Sequence, residues 1–240
     1  MKQIILASTS TLPGQDYLAY LQPAIKNLFA GIPEIIFIPY ARPGGISHDD
    51  YTSRAASAFA AMGIAVKGLH TFADPVEALR QAGGFFTGGG NTFLLVKQLH
   101  ALQLMDVLKE EVEKGKPYLG ASAGSNIAGI NMQTTNDMPI VYPASFSTMA
   151  LVPFNLNPHY LDPVLGLLHM GETRETRIKE FHTQQDIPVV GLREGSWIEV
   201  RGMEVFLRGK PLARIFKAGQ EPYEQEPGLL LPDNNISVRR

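Results

Sequence analysis

The sequence predicts an α/β fold: a mainly parallel sheet flanked by helices, with short antiparallel edge strands near the C-terminus. Three observations carry this expectation. Short apolar runs alternate with helix-length amphipathic segments, and the alternation repeats every ~20–30 residues, the spacing of right-handed βαβ crossovers. The composition, 45% hydrophobic and 18% charged over 240 residues, supplies enough apolar material for one sizeable core and has no disorder signature. No repeat and no linker divides the chain, so a single catalytic-sized domain over residues 1–240 is expected.

The elements follow in order. Gln3–Ala7 is the first strand, followed by a Ser/Thr/Pro/Gly loop and a helix around residues 17–29. Residues 34–39 (EIIFIP) form a second strand, and residues 49–62 a helix that Asp49 or Asp50 can cap. A third strand over 64–69 precedes a helix over Pro75–Gln81, with proline in its first turn. Residues 84–87 lead into Gly88-Gly89-Gly90, then helical sequence at 91–99 and 102–114, then a fifth strand at 117–121 that runs directly into Ser122. Beyond it, residues 131–165 are rich in Thr, Asn and Pro, a texture of functional loops. A short helix at 172–181, a buried strand at Val189–Leu192, antiparallel edge strands within 197–216 and an irregular tail from about 221 complete the reading.

Several function classes are excluded early. A net charge of −2 with scattered basic residues argues against nucleic-acid binding, which needs a concentrated positive face. Absence of cysteine removes disulfides, thiolate chemistry and Cys-based zinc sites. The N-terminal aliphatic run is too short for a signal-peptide core, and no stretch approaches the ~18 apolar residues of a membrane span. A soluble, cytoplasmic protein is expected.

Gly120-Ala121-Ser122-Ala123-Gly124 matches G-x-S-x-G. Such a strand-to-helix turn lifts a serine hydroxyl above the sheet edge, and crowding there demands small neighbours. Ser122 is therefore the candidate nucleophile, with the Ala123 N–H aimed at a developing oxyanion. Gly88-Gly89-Gly90-Asn91 is a second strand-to-helix turn whose bare N–H groups suit an anion, so Gly90 is the candidate second oxyanion donor. It lacks the Lys-Ser/Thr of a phosphate loop.

A serine nucleophile needs a base, usually histidine. His48, His70, His100 and His182 lie in helical or linking segments, and His169 fits no metal-ligand pattern, so all five read as ordinary side chains. His159 follows an extended apolar stretch, residues 151–156, and the turn Asn157-Pro158, and is the candidate base. Two acids compete to orient it: Asp137, which gives the chain order Ser, Asp, His, and Glu194, which follows a buried strand. Arg174 begins a helix, where it gains nothing from the macrodipole. It suits either a bidentate pair with a substrate carboxylate or an ion pair with Glu172 or Glu175.

Gly88-Gly89-Gly90-Asn91-Thr92-Phe93, the Ser122 turn, Thr134-Thr135-Asn136-Asp137-Met138-Pro139-Ile140, Asn157-Pro158-His159 and Gly171-Glu172-Thr173-Arg174-Glu175 together resemble the peptidase E family of α-aspartyl dipeptidases. Ser10-Thr11-Leu12-Pro13-Gly14 and Gly195-Ser196-Trp197-Ile198 fit too, and the likeness spans about residues 1–217. It implies a class I glutamine amidotransferase-like, flavodoxin-like sheet and hydrolysis of Asp-Xaa dipeptides without metal or cofactor. It implies Ser122 as nucleophile, His159 as base, Asp137 as charge-relay acid with Glu194 competing, and Gly90 and Ala123 as oxyanion donors. Arg174 and Asn91 become the substrate-binding candidates, with a homodimer as the candidate assembly. The segment over 160–173 is about one residue longer than the family pattern, and Ala121 stands where a bulkier residue can occur. Two other readings compete: a cyanophycinase-like peptidase acting on β-Asp-Arg units, and a non-catalytic small-molecule binding protein that keeps the turn as architecture.

Overall fold

The structure, a computed structural model, describes residues 1–163 and 171–230. Five strands form the parallel centre of an eight-stranded sheet: β1 (Gln3–Ala7), β2 (Glu34–Ile38), β3 (Ala65–Gly68), β4 (Phe85–Thr87) and β5 (Tyr118–Ala121). Their side chains alternate between two apolar layers. Ile4, Leu6, Ile36, Ile38, Phe85 and Tyr118 enter one layer, while Ile5, Ala7, Ile35, Phe37, Phe86 and Leu119 enter the other. Helices cover both faces, so β1, β2 and β4 read as continuous apolar runs rather than alternating ones.

The first layer takes α3 (Pro75–Gln81), α4 (Thr92–Ala101) and α5 (Met105–Glu113); the second takes α1 (Gln22–Leu28) and α2 (His48–Ala60). The helix expected over 17–29 is shorter. Leu18 adopts φ 61°, residues 19–21 make one 3-10 turn, and α1 starts at Gln22. Pro23 explains the start, because a residue without an N–H is tolerated only in a first turn. Ser47, not Asp49 or Asp50, caps α2.

Beyond β5 come the single-turn α6 (Ala123–Asn126), β6 (Asn155–Pro158), α7 (Arg174–Phe181) and β7 (Val189–Leu192). The C-terminal strands differ from the expected single edge set. β8 (Ser196–Arg201) and β9 (Glu204–Gly209) extend the large sheet antiparallel from β1, whereas β10 (Ala213–Phe216) pairs with β7 in a separate four-stranded sheet. The tail is not wholly irregular: β11 (Tyr223–Gln225) joins β10, and β12 (Gly228–Leu229) joins β9. The strand orders are β12-β9-β8-β1-β5-β4-β2-β3 and β11-β10-β7-β6. Residues 193–195 carry the chain from the small sheet to the large one.

Among the described residues no helix is long and apolar enough to cross a membrane. His169 lies outside the described residues, as do residues 164–170 of the lengthened segment.

Candidate active site

Ser122 sits at the C-terminal end of β5, between the ends of β1 and β4. Its backbone is strained, φ 53° and ψ −109°, a conformation that holds only when the surroundings over-determine it. They do. The Ser122 N–H donates to the Ala7 carbonyl at 3.0 Å, the Ser125 hydroxyl donates to the same carbonyl at 2.7 Å, and the Tyr118 hydroxyl donates to the Gly124 carbonyl at 2.7 Å. The two motif glycines are close-approach residues: a Cβ on Gly120 would overlap the Gly124 carbonyl, and one on Gly124 the Thr87 carbonyl.

His159 reaches this serine from the small sheet. Its Nε2 lies 3.0 Å from Ser122 Oγ, and its Nδ1 lies 2.6 Å from Glu194 Oε1. An ionised carboxylate only accepts, so Nδ1 carries the proton and Nε2 presents its lone pair to the serine hydroxyl. Glu194 occupies the turn between β7 and β8, which antiparallel pairing sets beside β1.

Asp137 is elsewhere, and its assignment as the orienting acid is corrected by this geometry. Its Oδ2 accepts from the Thr92 N–H at 2.7 Å and from the Thr135 hydroxyl at 3.0 Å. A carboxylate on the first N–H of α4 satisfies an orphan donor and complements the helix dipole. It braces the turn that carries Gly90.

Gly90 itself has φ +146°, and a Cβ there would collide with the Ala41 carbonyl, so this turn requires glycine. Gly89 packs beside the Ser122 side chain. Among the described residues, neither the Gly90 nor the Ala123 N–H donates to a backbone acceptor, which leaves both free for an incoming oxygen.

A strained serine, a tautomer-fixed histidine, a carboxylate behind it and two unspent N–H groups form the working parts of a serine hydrolase. The sequence comparison agrees: residues 4–208 match the profile of peptidase family S51. The chain belongs to peptidase family S51. A peptidase E from Streptomyces coelicolor is 45% identical over 225 residues, covering 94% of this chain and 91% of its own. A "probable alpha-aspartyl dipeptidase" from Drosophila melanogaster is 44% identical over 229 residues, 94% of each chain. Among solved structures, a peptidase from an acI-B1 Actinobacterium superposes with a TM-score of 0.71 at 17% identity over 94% of each chain, a likeness of fold.

In this S51 protein Asn91 is engaged architecturally. Its Oδ1 accepts from the Leu94 N–H at 3.0 Å as the α4 cap, and its amide donates to the Met138 carbonyl at 2.8 Å. Arg174 begins α7, but pairs with neither candidate acid. Glu172 instead meets Arg177 at 3.5 Å, and Glu175 meets Lys179 at 3.0 Å and Arg214 at 3.3 Å. Arg174 Nη1 is buried without a hydrogen-bond partner among the described residues. Burial lowers the guanidinium's pKa, and the nearby Glu194 carboxylate opposes that shift.

Residues not singled out from the sequence hold His159 in place. His159 has φ 54°, and its N–H donates to the buried Ser8 hydroxyl at 2.9 Å. Ser8 Oγ in turn donates to the Leu192 carbonyl at 2.7 Å, and the Ser8 N–H to the Ser196 carbonyl at 3.2 Å. Ser8 thus ties the end of β1 to His159 and β7 through its side chain and to β8 through its backbone N–H. Asn136 adds a bond to the Pro158 carbonyl at 2.8 Å, and Asn157 bonds the Thr134 carbonyl at 2.7 Å. The signal for Ser8 was its position, the first polar residue after an apolar strand on the edge that bears Ser122. His70, His100 and His182 bond to Asp49, Ser147 and Ile187 respectively, and His48 meets the Tyr40 ring edge-to-face. Among the described residues no three His, Asp or Glu side chains converge as a metal site.

Proposed function

We propose that this protein is a serine dipeptidase that hydrolyses Asp-Xaa through an acyl-enzyme on Ser122. The observation that carries the reading is the Ser122–His159–Glu194 chain of hydrogen bonds on a strained turn, in a chain of family S51. His159 Nε2 takes the serine proton as Oγ attacks the aspartyl carbonyl, and Glu194 stabilises the imidazolium that forms. Gly90 and Ala123 N–H groups receive the oxyanion. The C–N bond breaks as His159 protonates the leaving amine; a water, deprotonated by the same histidine, then releases aspartate.

Arg174 supplies the specificity. Its buried, unpartnered Nη1 fits the aspartyl carboxylate, and a substrate lacking that group leaves a charged donor unpaired. The likeness to peptidase E and to the aspartyl dipeptidase relative supports this choice of substrate. The chain acts as one catalytic unit in a cytoplasmic setting. Cell fractionation tests the location, and light scattering tests the homodimer.

The decisive assay compares Asp-Leu, Asn-Leu and Ala-Leu with the wild type, Ser122→Ala and Arg174→Met. Wild type turns over Asp-Leu at least ~100-fold faster than the other two, Ser122→Ala is inactive, and Arg174→Met loses the preference. Full activity in Ser122→Ala refutes the mechanism; equal turnover of Ala-Leu and Asp-Leu refutes the specificity.

A further inference from the structure

Two arginines on the other side of the nucleophile are short of partners. Arg177, Arg193, Arg201, Arg208 and Arg214 each reach a carboxylate. Among the described residues Arg42, Arg54, Arg80 and Arg174 reach none, and of these Arg42 and Arg54 are each stacked on a tyrosine. The Arg42 guanidinium carbon lies 4.6 Å above the ring of Tyr51, and that of Arg54 lies 4.7 Å above the ring of Tyr17. Arg42 Nε is buried and has no hydrogen-bond partner among the described residues. Burial pushes the Tyr17 phenol well up, with Tyr51 adding to the shift, while Arg54 and Arg42 pull it back. Both guanidiniums therefore act electrostatically on the same phenol.

The cluster borders the catalytic turn. Arg42 follows Ala41, whose carbonyl accepts the Asn91 N–H at 2.7 Å and abuts Gly90. The hydroxyl of Tyr51 donates to the Gly89 carbonyl at 3.1 Å, and a Cβ on Gly89 would meet the Ser122 side chain. The path from the Arg42 stack to the nucleophile is one tyrosine and one glycine long.

Strand order sets the direction. Glu194, with Arg174 near it, precedes β8, two strands from β5 on one side; Arg42 follows β2, two strands from β5 on the other. Strand order thus sets Ser122 between Arg174 and Arg42, neither of which has a carboxylate partner among the described residues. An Asp-Xaa dipeptide carries two carboxylates, one on the aspartyl side chain and one at the C-terminus of the leaving residue. Arg174 accounts for the first.

We propose that Arg42, supported by Arg54, binds the free C-terminal carboxylate of the leaving residue. This inference rests on the dipeptidase reading above. Stacking on Tyr51 and Tyr17 holds the guanidiniums in place before substrate arrives, which lowers the ordering cost of a charge-assisted pair. A blocked or longer chain places an amide where the carboxylate belongs and leaves Arg42 unpaired, so the subsite selects chains that end one residue after the scissile bond.

The test compares kcat/KM for Asp-Leu and Asp-Leu amide in the wild type, Arg42→Met, Arg42→Lys and Arg54→Met, with thermal melts alongside. The wild-type comparison needs no variant and is independent of folding. Wild type prefers the free acid by roughly 10- to 100-fold, the range of a charge-assisted hydrogen bond. In Arg42→Met the preference collapses towards one through a raised KM for Asp-Leu. Arg42→Lys recovers part of it as a point charge without the fork, and Arg54→Met erodes it less. Equal use of acid and amide by the wild type overturns the inference and leaves the dipeptidase reading intact. So does an Arg42→Met protein that loses both substrates equally, which would make Arg42 a cover for Tyr51. A wild type that cleaves neither peptide overturns the dipeptidase reading and this inference with it.

Discussion

Replacing Glu194 by glutamine separates the two candidate acids most cleanly. The change preserves shape and removes one negative charge from a carboxylate 2.6 Å from His159 Nδ1. Unit charges about 4 Å apart interact by ~4 kcal/mol at an effective dielectric of ~20 and by ~1 kcal/mol in bulk water. His159 and Glu194 are 36% and 42% exposed, which places the pair between those limits. The imidazolium formed in the transition state then loses about 2–3 kcal/mol, roughly 30- to 150-fold in kcat. Asp137→Ala removes the carboxylate from the α4 N–H instead, which costs ~1–2 kcal/mol of stability and less than about fivefold in kcat. The assay is steady-state release of aspartate from Asp-Leu at pH 7, with a thermal melt of each protein. Glu194→Gln within threefold of wild type refutes the reasoning. So does a 100-fold loss in Asp137→Ala at unchanged Tm, which would return the role to Asp137.

Other outcomes follow from the same geometry. Ser8→Ala removes the acceptor of the His159 N–H and the donor to the Leu192 carbonyl. It lowers stability by ~1–3 kcal/mol and kcat about tenfold with KM little changed; Ser8→Thr, which keeps the hydroxyl, recovers part of the kcat. A KM effect as large as the kcat effect would count against a positioning role. Glu111 is buried with Lys114 and Lys116, each 2.7 Å away. Burial alone would raise its carboxyl, but hydrogen bonds from the two lysines outweigh it and hold the group below its ordinary 4.5. A lowered folded-state value adds stability above the ordinary range, and that stability disappears as pH falls through the lowered value. Glu111→Gln therefore lowers Tm at pH 7 by a few degrees, and the gap from wild type narrows below about pH 4. A gap that is constant with pH refutes the charge argument.

What the sequence revealed depended on how local the cause was. The turn at Ser122 is specified within five residues, because Gly120 and Gly124 answer clashes with backbone close by. The apolar runs of β1, β2 and β4 announced themselves because both faces of each strand are covered. His159 was legible as the residue ending an extended stretch. The acid was not, since Asp137 and Glu194 both sit in turns, and only the return of β8 beside β1 brings residue 194 to the histidine. That pairing joins residues nearly 200 positions apart, Gln3 with Arg201. The division of the edge strands between two sheets is equally non-local. β11 was invisible for another reason: Tyr223-Glu224-Gln225 has no apolar run, and Glu224 is held by Arg193 and Arg214 rather than by burial.

Glu194 lies on the three-residue link between the two sheets, while the serine stands on one sheet and the histidine leaves the other. On the proposed mechanism, turnover is a gauge of how the sheets are seated against each other. Loosening β10 or β11, well away from the substrate, would shift the carboxylate and imidazole together relative to the hydroxyl, and the lost rate would appear before any loss of helix or strand content. Directed evolution of this scaffold would then find improvements in the small sheet's packing as readily as in the residues that touch the peptide.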